Sequence, residues 1–450
     1  MSARTIREDA RDVPVVGEYD AVVIGGGPAG LMAATAASRA GLSTLLIERY
    51  GFLGGAGTMG GLATFCGLHA RVFGTDVQSV HGYADELLDR MSAMDGLNRP
   101  HLTVADRIQA LSYDISALKI AADDLVTSGG AELLFHAQVV GVVQDEEDRI
   151  DAVVIESKSG RQAVRGRFFI DGSGDADVAA WAGAPFERSE RLMYPSLMFR
   201  INGVDPERAG DAWRVVQRNM EAAEAAGTHS FPRKKPIVRP QRNPIEWRSN
   251  LTQLSNPDGS AVDGTDVRQL TRGELQGRRQ AWEAFSFIRE TTPGFEESYI
   301  VDIAPQVGIR ETRRIVGDYQ LTEADVLGCA DFDDAIGVNG WPVEAHVAGD
   351  VEFRFAPEDS RGYNQLPYRM LVPQRVQNLL VAGRCASMTQ GGQSSGRVSG
   401  PCFAMGQAAG VAAALALSAG VPASSVDVGA LQERLEADGA YLGRQLPPGV

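Results

Sequence analysis

The sequence predicts an α/β protein: a parallel sheet with flanking helices, a small antiparallel meander beside it, and a second, α+β domain inserted into the chain. Three observations carry this. Residues 19–48 hold a β-branched run, a glycine turn, an Ala-rich stretch and a second apolar run in succession. Buried-type strands recur at 167–170 and again, far downstream, at 378–382, with a stretch of different texture between them. Glycine is in excess, 51 of 450 residues against about 7% in average usage.

Taken in order, residues 1–18 read as a flexible lead, lacking the apolar core and small-residue cleavage site of a secretory signal. Tyr19–Ile24 is a strand-length run, followed by GGGPAG and a helix closed by Gly41, and Ser43–Ile47 forms a second short strand ending at Glu48. From Gly51 to Gly67 the chain is glycine-rich and mostly apolar, as backbone held close to a ligand would be. Residues 106–130 read as helix, stopped by Gly129-Gly130. Strands at 132–137, 138–143, 152–156 and 162–165 suggest the meander, and RFFI at 167–170 runs into Asp-Gly-Ser-Gly-Asp. Residues 186–345 are Pro-rich and charged, with helical stretches at 205–226 and 267–290, and read as the inserted domain. NLLVA at 378–382 returns to the buried-strand pattern before a glycine-rich loop and a long Ala-rich helix. The dinucleotide-binding unit is thus expected at 19–185 plus 346–450.

The chemistry is concentrated at the glycines. Gly25-x-Gly27-x-x-Gly30 sits directly between strand and helix, where Gly25 permits the tight turn, Gly27 admits a pyrophosphate to the backbone, and Gly30 lets the helix that opens at Pro28-Ala29 pack close. Glu48 ends the next strand, where a carboxylate accepts hydrogen bonds from ribose hydroxyls. These features make a Rossmann-like dinucleotide site. Twelve Gly fall in residues 25–67 and seven in 383–410, so the backbone is cleared of side chains at two places far apart in sequence.

The motifs YDAVVIGGGPAG (19–30), LLIERYGFLGGAGTMGG (45–61), FFIDGSGDADVAAWAG (168–183), VGIRETRRIVGDYQLT (307–322) and NLLVAGRCASMTQGGQSSGRVSGPCFAMGQAAGVAAALAL (378–417) follow one another in a familiar order. The chain resembles the two-dinucleotide-binding-domain flavoproteins, and within them the FAD-dependent oxidoreductase family, related to the succinate dehydrogenase/fumarate reductase flavoproteins and to thiazole synthases. The resemblance covers almost everything except roughly 205–300. It implies FAD, and the wide spacing of the glycine-rich places agrees, because NAD sites usually concentrate in one doubly wound unit.

What the resemblance implies can be set out by residue. Arg49 lies against the adenine end, and Gly54, Gly55 and Thr58 line the pyrophosphate and flavin approach. Val139 offers backbone to the adenine, and the turn holding Gly174 and Asp175 lies near the cofactor. Gly383 and Arg384 end the last core strand beside the ribityl chain. Beyond Arg397, a helix starting near Val398 aims its amide end at the flavin's pyrimidine ring, where negative charge develops on reduction.

Other signals have more than one reading. His69 and His81, which follow the glycine-rich stretch, are with Arg384 the catalytic candidates; each His reads first as an ordinary packing or hydrogen-bonding residue and secondarily as a base. The resemblance implies Cys66 or a His such as His69 as a candidate for covalent flavin attachment, and Cys385 and Cys402 read as small buried hydrophobes. Arg310, Arg313 and Arg314 read mainly as members of ion pairs with Glu311 and others, and secondarily as anion binders. Arg384 and Arg397 are expected to face the cavity and could orient a substrate carboxylate. The basic stretch from Arg233 to Arg242 reads as a solvated loop. Gly392-Gln-Ser-Ser-Gly396 matches a nucleophile elbow literally but does not directly follow a strand, as an elbow must.

A formal charge of −15 and only four Lys argue against nucleic acid or an anionic membrane as partner. The scattered cysteines suggest neither a zinc site nor a dithiol centre, and no metal is expected. A small-molecule substrate, an unidentified electron acceptor and a cytoplasmic location complete the expectation, and a homo-oligomer is compatible with it. The activity expected is hydride removal from a C–H next to O or N, by a dehydrogenase or oxidase. Alternatives are a reductase or monooxygenase whose flavin is reduced by NAD(P)H or a partner, and an FAD-containing binding or redox-sensing module. No second dinucleotide fingerprint is present to hold NAD(P)H.

Overall fold

The structure is a computed structural model that describes residues 5–103, 107–145 and 148–447. Its main sheet has seven strands. Across it, in order, run Glu132–Leu134, Thr44–Ile47, Val15–Ile24, Gly160–Asp171, Ile150–Ser157 and Gln138–Gln144, with Leu379–Val381 also pairing with Gly160–Asp171. The first four and Leu379–Val381 are mutually parallel, while the pairings of Ile150–Ser157 are antiparallel. The mixed α/β architecture predicted from the sequence is therefore present.

The twelve-residue strand Gly160–Asp171 explains how the two patterns join. Its first half, Gly160 to Arg165, pairs with the meander, and its end, Phe169 to Asp171, pairs with Leu379–Val381. The sequence predicts two strands parted at Gly166, a residue whose added Cβ would strike the Val22 side chain at 2.8 Å. The glycine marks a close contact within one strand rather than a break. Glu132–Leu134, expected in the meander, instead extends the parallel edge beside Thr44–Ile47.

Several expected boundaries move. The first strand begins at Val15, where pairing with Ala163 already starts, so residues 15–18 belong to the sheet and not to a lead; residues 1–4 lie outside the described residues. The helix expected from 106 is strand at Ile108–Ser112, pairing with Thr64–Cys66, and becomes helix only at Ile115–Ser128, where Asp114 accepts a hydrogen bond from the Ala117 amide as N-cap. Residue 106 itself lies outside the described residues.

A second sheet is wholly antiparallel: Ile237–Pro240, Trp247–Asn250, Phe199–Asn202 and Tyr299–Ile303. Helices Ala212–Ala225 and Val267–Thr291 share its core through Val216, Met220, Phe285 and Ile288, packed with Phe199, Ile201 and Trp247. The expected domain limit at 345/346 falls inside the strand Val343–Val347. Leu321, Val326, Ile336 and Val343 share a core with Leu31 and Ala409, and Ile315 packs with Val22 and Phe169. Apolar contact thus returns the chain to the main body by about Ile315.

The two helices on the fingerprint side, Pro28–Arg39 and Ser399–Ala419, meet backbone to backbone. A Cβ on Gly406 would lie 2.1 Å from the Ala29 carbonyl oxygen, and one on Gly410 would lie 2.3 Å from that of Ala33. Ser399–Ala419 is long and apolar enough to cross a bilayer by length and composition, but 67% of its most apolar window is buried inside the molecule, as befits a core helix.

Candidate functional site: a cavity between the glycine cradle and the second sheet

A cavity of about 320 Å³ runs from the glycine turn at Gly25–Gly27 to the face of the second sheet. The glycines shape its first end. Gly25 has φ +91°, and a Cβ there would lie 2.6 Å from the Gly172 carbonyl oxygen; a Cβ on Gly30 would lie 1.8 Å from that of Gly25. Across the gap, Gly55 approaches Gly27 so closely that its Cβ would meet the Gly27 Cα at 2.8 Å. The helix Pro28–Arg39 has Gly27 as N-cap, no side-chain cap and no acidic residue in its first turn, so its amide end is available to an anion. Glu48 is buried and accepts from the amides of Gly26 (2.7 Å) and Tyr50 (3.0 Å), which fixes its carboxylate at the end of the second strand.

Most sequence-predicted cofactor residues line this one cavity: Gly25, Gly27, Pro28, Ala29, Glu48, Arg49, Gly54, Gly55, Val139, Gly174, Asp175, Gly383, Arg384, Arg397 and Val398. Two do not. Gly30 serves helix packing, and Thr58, fully buried, turns its hydroxyl away to donate to the Leu53 carbonyl at 2.7 Å, so it holds the loop rather than lining the site. Arg384 reaches the cavity but is tied to Asp175 (2.9 Å) and Thr312 (3.2 Å). Burial alone would raise the Asp175 carboxyl, and Arg384 and Thr312 bring it below its ordinary value.

The catalytic histidines expected from sequence are elsewhere. His69 lines a separate small recess with Asp76 and Pro342, and its Nδ1 is buried without a partner; burial lowers its pKa. His81 places Nδ1 against Asp85 (3.1 Å) and Nε2 against the Gln78 carbonyl (3.2 Å), and its pKa is raised, first by the Asp85 hydrogen bond. Both were favoured because they are near the glycines in sequence, but the hairpin that begins at His69 and ends at Gln78 turns that segment away from the main cavity.

His101 and His346 line the cavity instead. His346 Nε2 lies 3.0 Å from Glu344 Oε1, and Trp341 Nε1 donates to Glu344 Oε2 at 2.9 Å. Burial opposes ionisation of Glu344, but the hydrogen bond from His346, the charge of Arg397 and the bond from Trp341 hold its carboxyl below the usual range. Burial, then Arg310, keeps His346 well below the usual imidazole range against the pull of Glu344. The ring is therefore neutral at physiological pH, with Nε2–H facing the carboxylate and Nδ1 carrying no hydrogen bond among the described residues. The sequence held a signal for this pair: V-E-A-H-V alternates, so Glu344 and His346 share one face of their strand.

Arginines surround the same end. Arg310 is buried, with Nη1 on the Tyr194 carbonyl (2.6 Å) and Nη2 on Ser196 Oγ (2.8 Å), while Arg313 pairs with Asp177 and Arg314 with Glu311 (2.5 Å). The stretch expected to be a solvated loop divides: Lys234, Lys235 and Arg242 are exposed, whereas Arg233 is buried on Asn250 Oδ1 (2.7 Å) and Arg239 lines the cavity from a strand. Cys66 also lines the cavity; burial, then Glu344, pushes its thiol up to about 12, so it is not a ready nucleophile. Gly392–Gly396 lies inside the helix Gln390–Gly396 with Ser394 and Ser395 buried, which is not an elbow. No group of three or more metal-ligating side chains occurs among the described residues.

The arrangement fits a long dinucleotide: backbone cleared at Gly25–Gly30 and Gly54–Gly55, a fixed carboxylate at Glu48, and a second helix N-terminus at Val398–Ser399 whose first turn carries no acidic residue. Comparison with known proteins agrees. The chain is 32% identical over 176 residues to a thiamine thiazole synthase of Methanococcus vannielii, covering 36% of this chain and 59% of that one. It is 22% identical over 275 residues to a digeranylgeranylglycerophospholipid reductase of Methanococcoides burtonii, covering 55% and 62%. The chain thus matches about three-fifths of the length of each. Among solved structures, a geranylgeranyl bacteriochlorophyll reductase-like protein from Thermoplasma acidophilum superposes with a TM-score of 0.47 at 13% identity, covering 94% of this chain and 84% of that one. Residues 20–435 match the family described as FAD dependent oxidoreductase, and the chain therefore belongs to that family of FAD-dependent enzymes.

Proposed function

We propose that the enzyme is a dehydrogenase or oxidase that removes a hydride and a proton from a small organic substrate bearing a C–H next to O or N. The observation that carries this is the Glu344–His346 pair in the wall of the cavity that also holds the glycine cradle. Bound FAD supplies the hydride acceptor, flavin N5. The chain's own part is proton transfer and orientation: Glu344 holds the Nε2–H tautomer, and Nδ1 of the neutral His346 takes the O–H or N–H proton. The second sheet lines the cavity at the end away from the cradle, where it can position the substrate. Net charge and lysine scarcity support a small-molecule partner rather than nucleic acid or an anionic membrane.

The test is anaerobic mixing of the FAD-loaded enzyme with a panel of hydroxy acids, amino acids, alcohols and amines, following loss of flavin absorbance. Bleaching by a member of the panel supports the reading. Failure of every member, with rapid bleaching by NADPH, overturns it in favour of a reductase, the direction that the name of the Methanococcoides burtonii relative suggests.

A further inference from the structure

The second sheet presents an unusual row to the cavity. Its register sets Arg239 directly opposite Arg248, Arg248 opposite Arg200, and Arg200 opposite Asp302, so three arginines stand side by side on one face. Like charges directly opposite each other destabilise a sheet. Arg200 is compensated, by Glu246 at 2.9 Å and Asp302 at 3.3 Å. Arg239 and Arg248 have no such partner: neither has a carboxylate within ion-pair distance among the described residues, and both line the cavity.

Their remaining contacts leave donors free. Arg248 is buried; its Nη1 donates to the Leu62 carbonyl at 2.8 Å, and its Nε is sealed from solvent with no partner. Arg239 donates to the neighbouring Val238 carbonyl at 3.1 Å and stacks over the Trp213 ring at 4.4 Å, which holds the guanidinium plane in place without neutralising it. Burial, then Arg248, pushes Arg239 down to about 10, still protonated at neutral pH. A buried charge left unpaired is costly, and two together are held only where something of opposite sign arrives. The cofactor's pyrophosphate does not supply it, since the glycine turn and the helix opening at Pro28 provide for that group at the other end of the cavity.

We propose that Arg239 and Arg248 form a two-guanidinium clamp for a dianionic substrate, carrying either two carboxylates or one phosphate-type group. This rests on the reading of the cavity's far wall as the substrate side, and it is independent of the direction in which electrons move. The clamp anchors the charged part of the substrate against the second sheet, and the anchored group then sets which C–H lies beside the Glu344–His346 pair.

Equilibrium titration of the FAD-loaded enzyme by calorimetry tests it, with malonate and succinate as dicarboxylates, methyl phosphate as the phosphate arm and acetate as the singly charged control. At least one dianion should bind about tenfold more tightly than acetate, and Arg239→Met should abolish about that tenfold advantage while leaving acetate binding nearly unchanged. The same variant should melt no lower than the parent without anion, because it relieves a like-charge pair. The better arm identifies the source of the charge. Equal binding of acetate and all dianions, or unchanged dianion binding by Arg239→Met, overturns the clamp. Arg248→Met also loses its bond to Leu62, so a folding failure there leaves the half-buried Arg239 variant to decide. An enzyme that proved to be a reductase would still show the dianion preference, and a parent enzyme without that preference would overturn the clamp while its flavin bleaching by a member of the panel still supported hydride removal.

Discussion

Replacing Glu344 by Gln exchanges one carboxylate oxygen for an NH2 group and removes the negative charge at nearly constant volume. Glu344 now accepts twice, from His346 Nε2 and from Trp341 Nε1. An amide has only one acceptor oxygen, and Trp341, a donor only, must keep it. The amide NH2 then faces His346 Nε2 and forces that nitrogen to accept, which moves the ring proton to Nδ1, the atom assigned to take the substrate proton. General base catalysis is worth about 10²–10⁴-fold, and Glu344→Gln should lower the anaerobic rate of flavin reduction by that range while FAD content stays at parent level. His346 is already neutral, and loss of the carboxylate lowers its pKa further, so raising the pH should not restore the rate. Glu344→Asp, which keeps the charge with a shorter reach, should lose less. The assay is single-turnover bleaching of flavin absorbance across pH with the substrate found in the panel; a Gln variant within threefold of the parent would refute the assignment.

Three further outcomes follow from the same geometry. Gly30→Ala should cost about 1–3 kcal/mol through overpacking and yield protein poor in FAD by absorbance ratio, because its Cβ would lie 1.8 Å from the Gly25 carbonyl oxygen. Glu311→Gln, measured by urea unfolding of the FAD-loaded enzyme, should cost about 3–5 kcal/mol, the usual result of stripping a buried pair of one charge, since Arg314 is left buried beside it; a loss under about 1 kcal/mol would contradict this. Burial, then Asp175 and Asp171, pushes Asp177 up to about 6 against the pull of Arg313, above its unfolded value of about 3.9. The folded state therefore holds this proton more readily than the unfolded chain, and Asp177 detracts from stability as pH rises between those values. Asp177→Asn should raise the melting temperature near pH 7 and lose that advantage near pH 4.

The parallel core and the cofactor cradle were legible because local rules govern them. A strand, a glycine turn and a helix in register announce themselves within some thirty residues, and Glu48 follows from the length of the second strand. The long strand Gly160–Asp171 was read in two pieces because Gly166 looks like a breaker when its contact with Val22 is hidden. The strand Ile108–Ser112 was absorbed into a helix because its pairing with Thr64–Cys66 is not local. The cavity wall that carries His346 and Arg239 was missed for a related reason. His69 and His81 are close to the glycines in sequence, whereas His346 and Arg239 reach the cavity only through pairing within their own sheets. Thr58 shows the converse: its backbone belongs to the right loop, and its hydroxyl serves the loop alone.

The contact of Gly406 and Gly410 with Ala29 and Ala33 has a consequence for biosynthesis. The helix that opens at the phosphate end of the cavity is among the first elements to leave the ribosome, and the helix that seals its other side is among the last. At about 5–20 residues per second, roughly 20–75 s pass between the two. During that interval the apolar face of Pro28–Arg39 has no permanent cover, and the cradle has one wall. Stable capture of FAD therefore awaits the last tenth of the chain, and a message truncated before Gly410 should yield a polypeptide dependent on chaperones rather than a smaller flavoprotein.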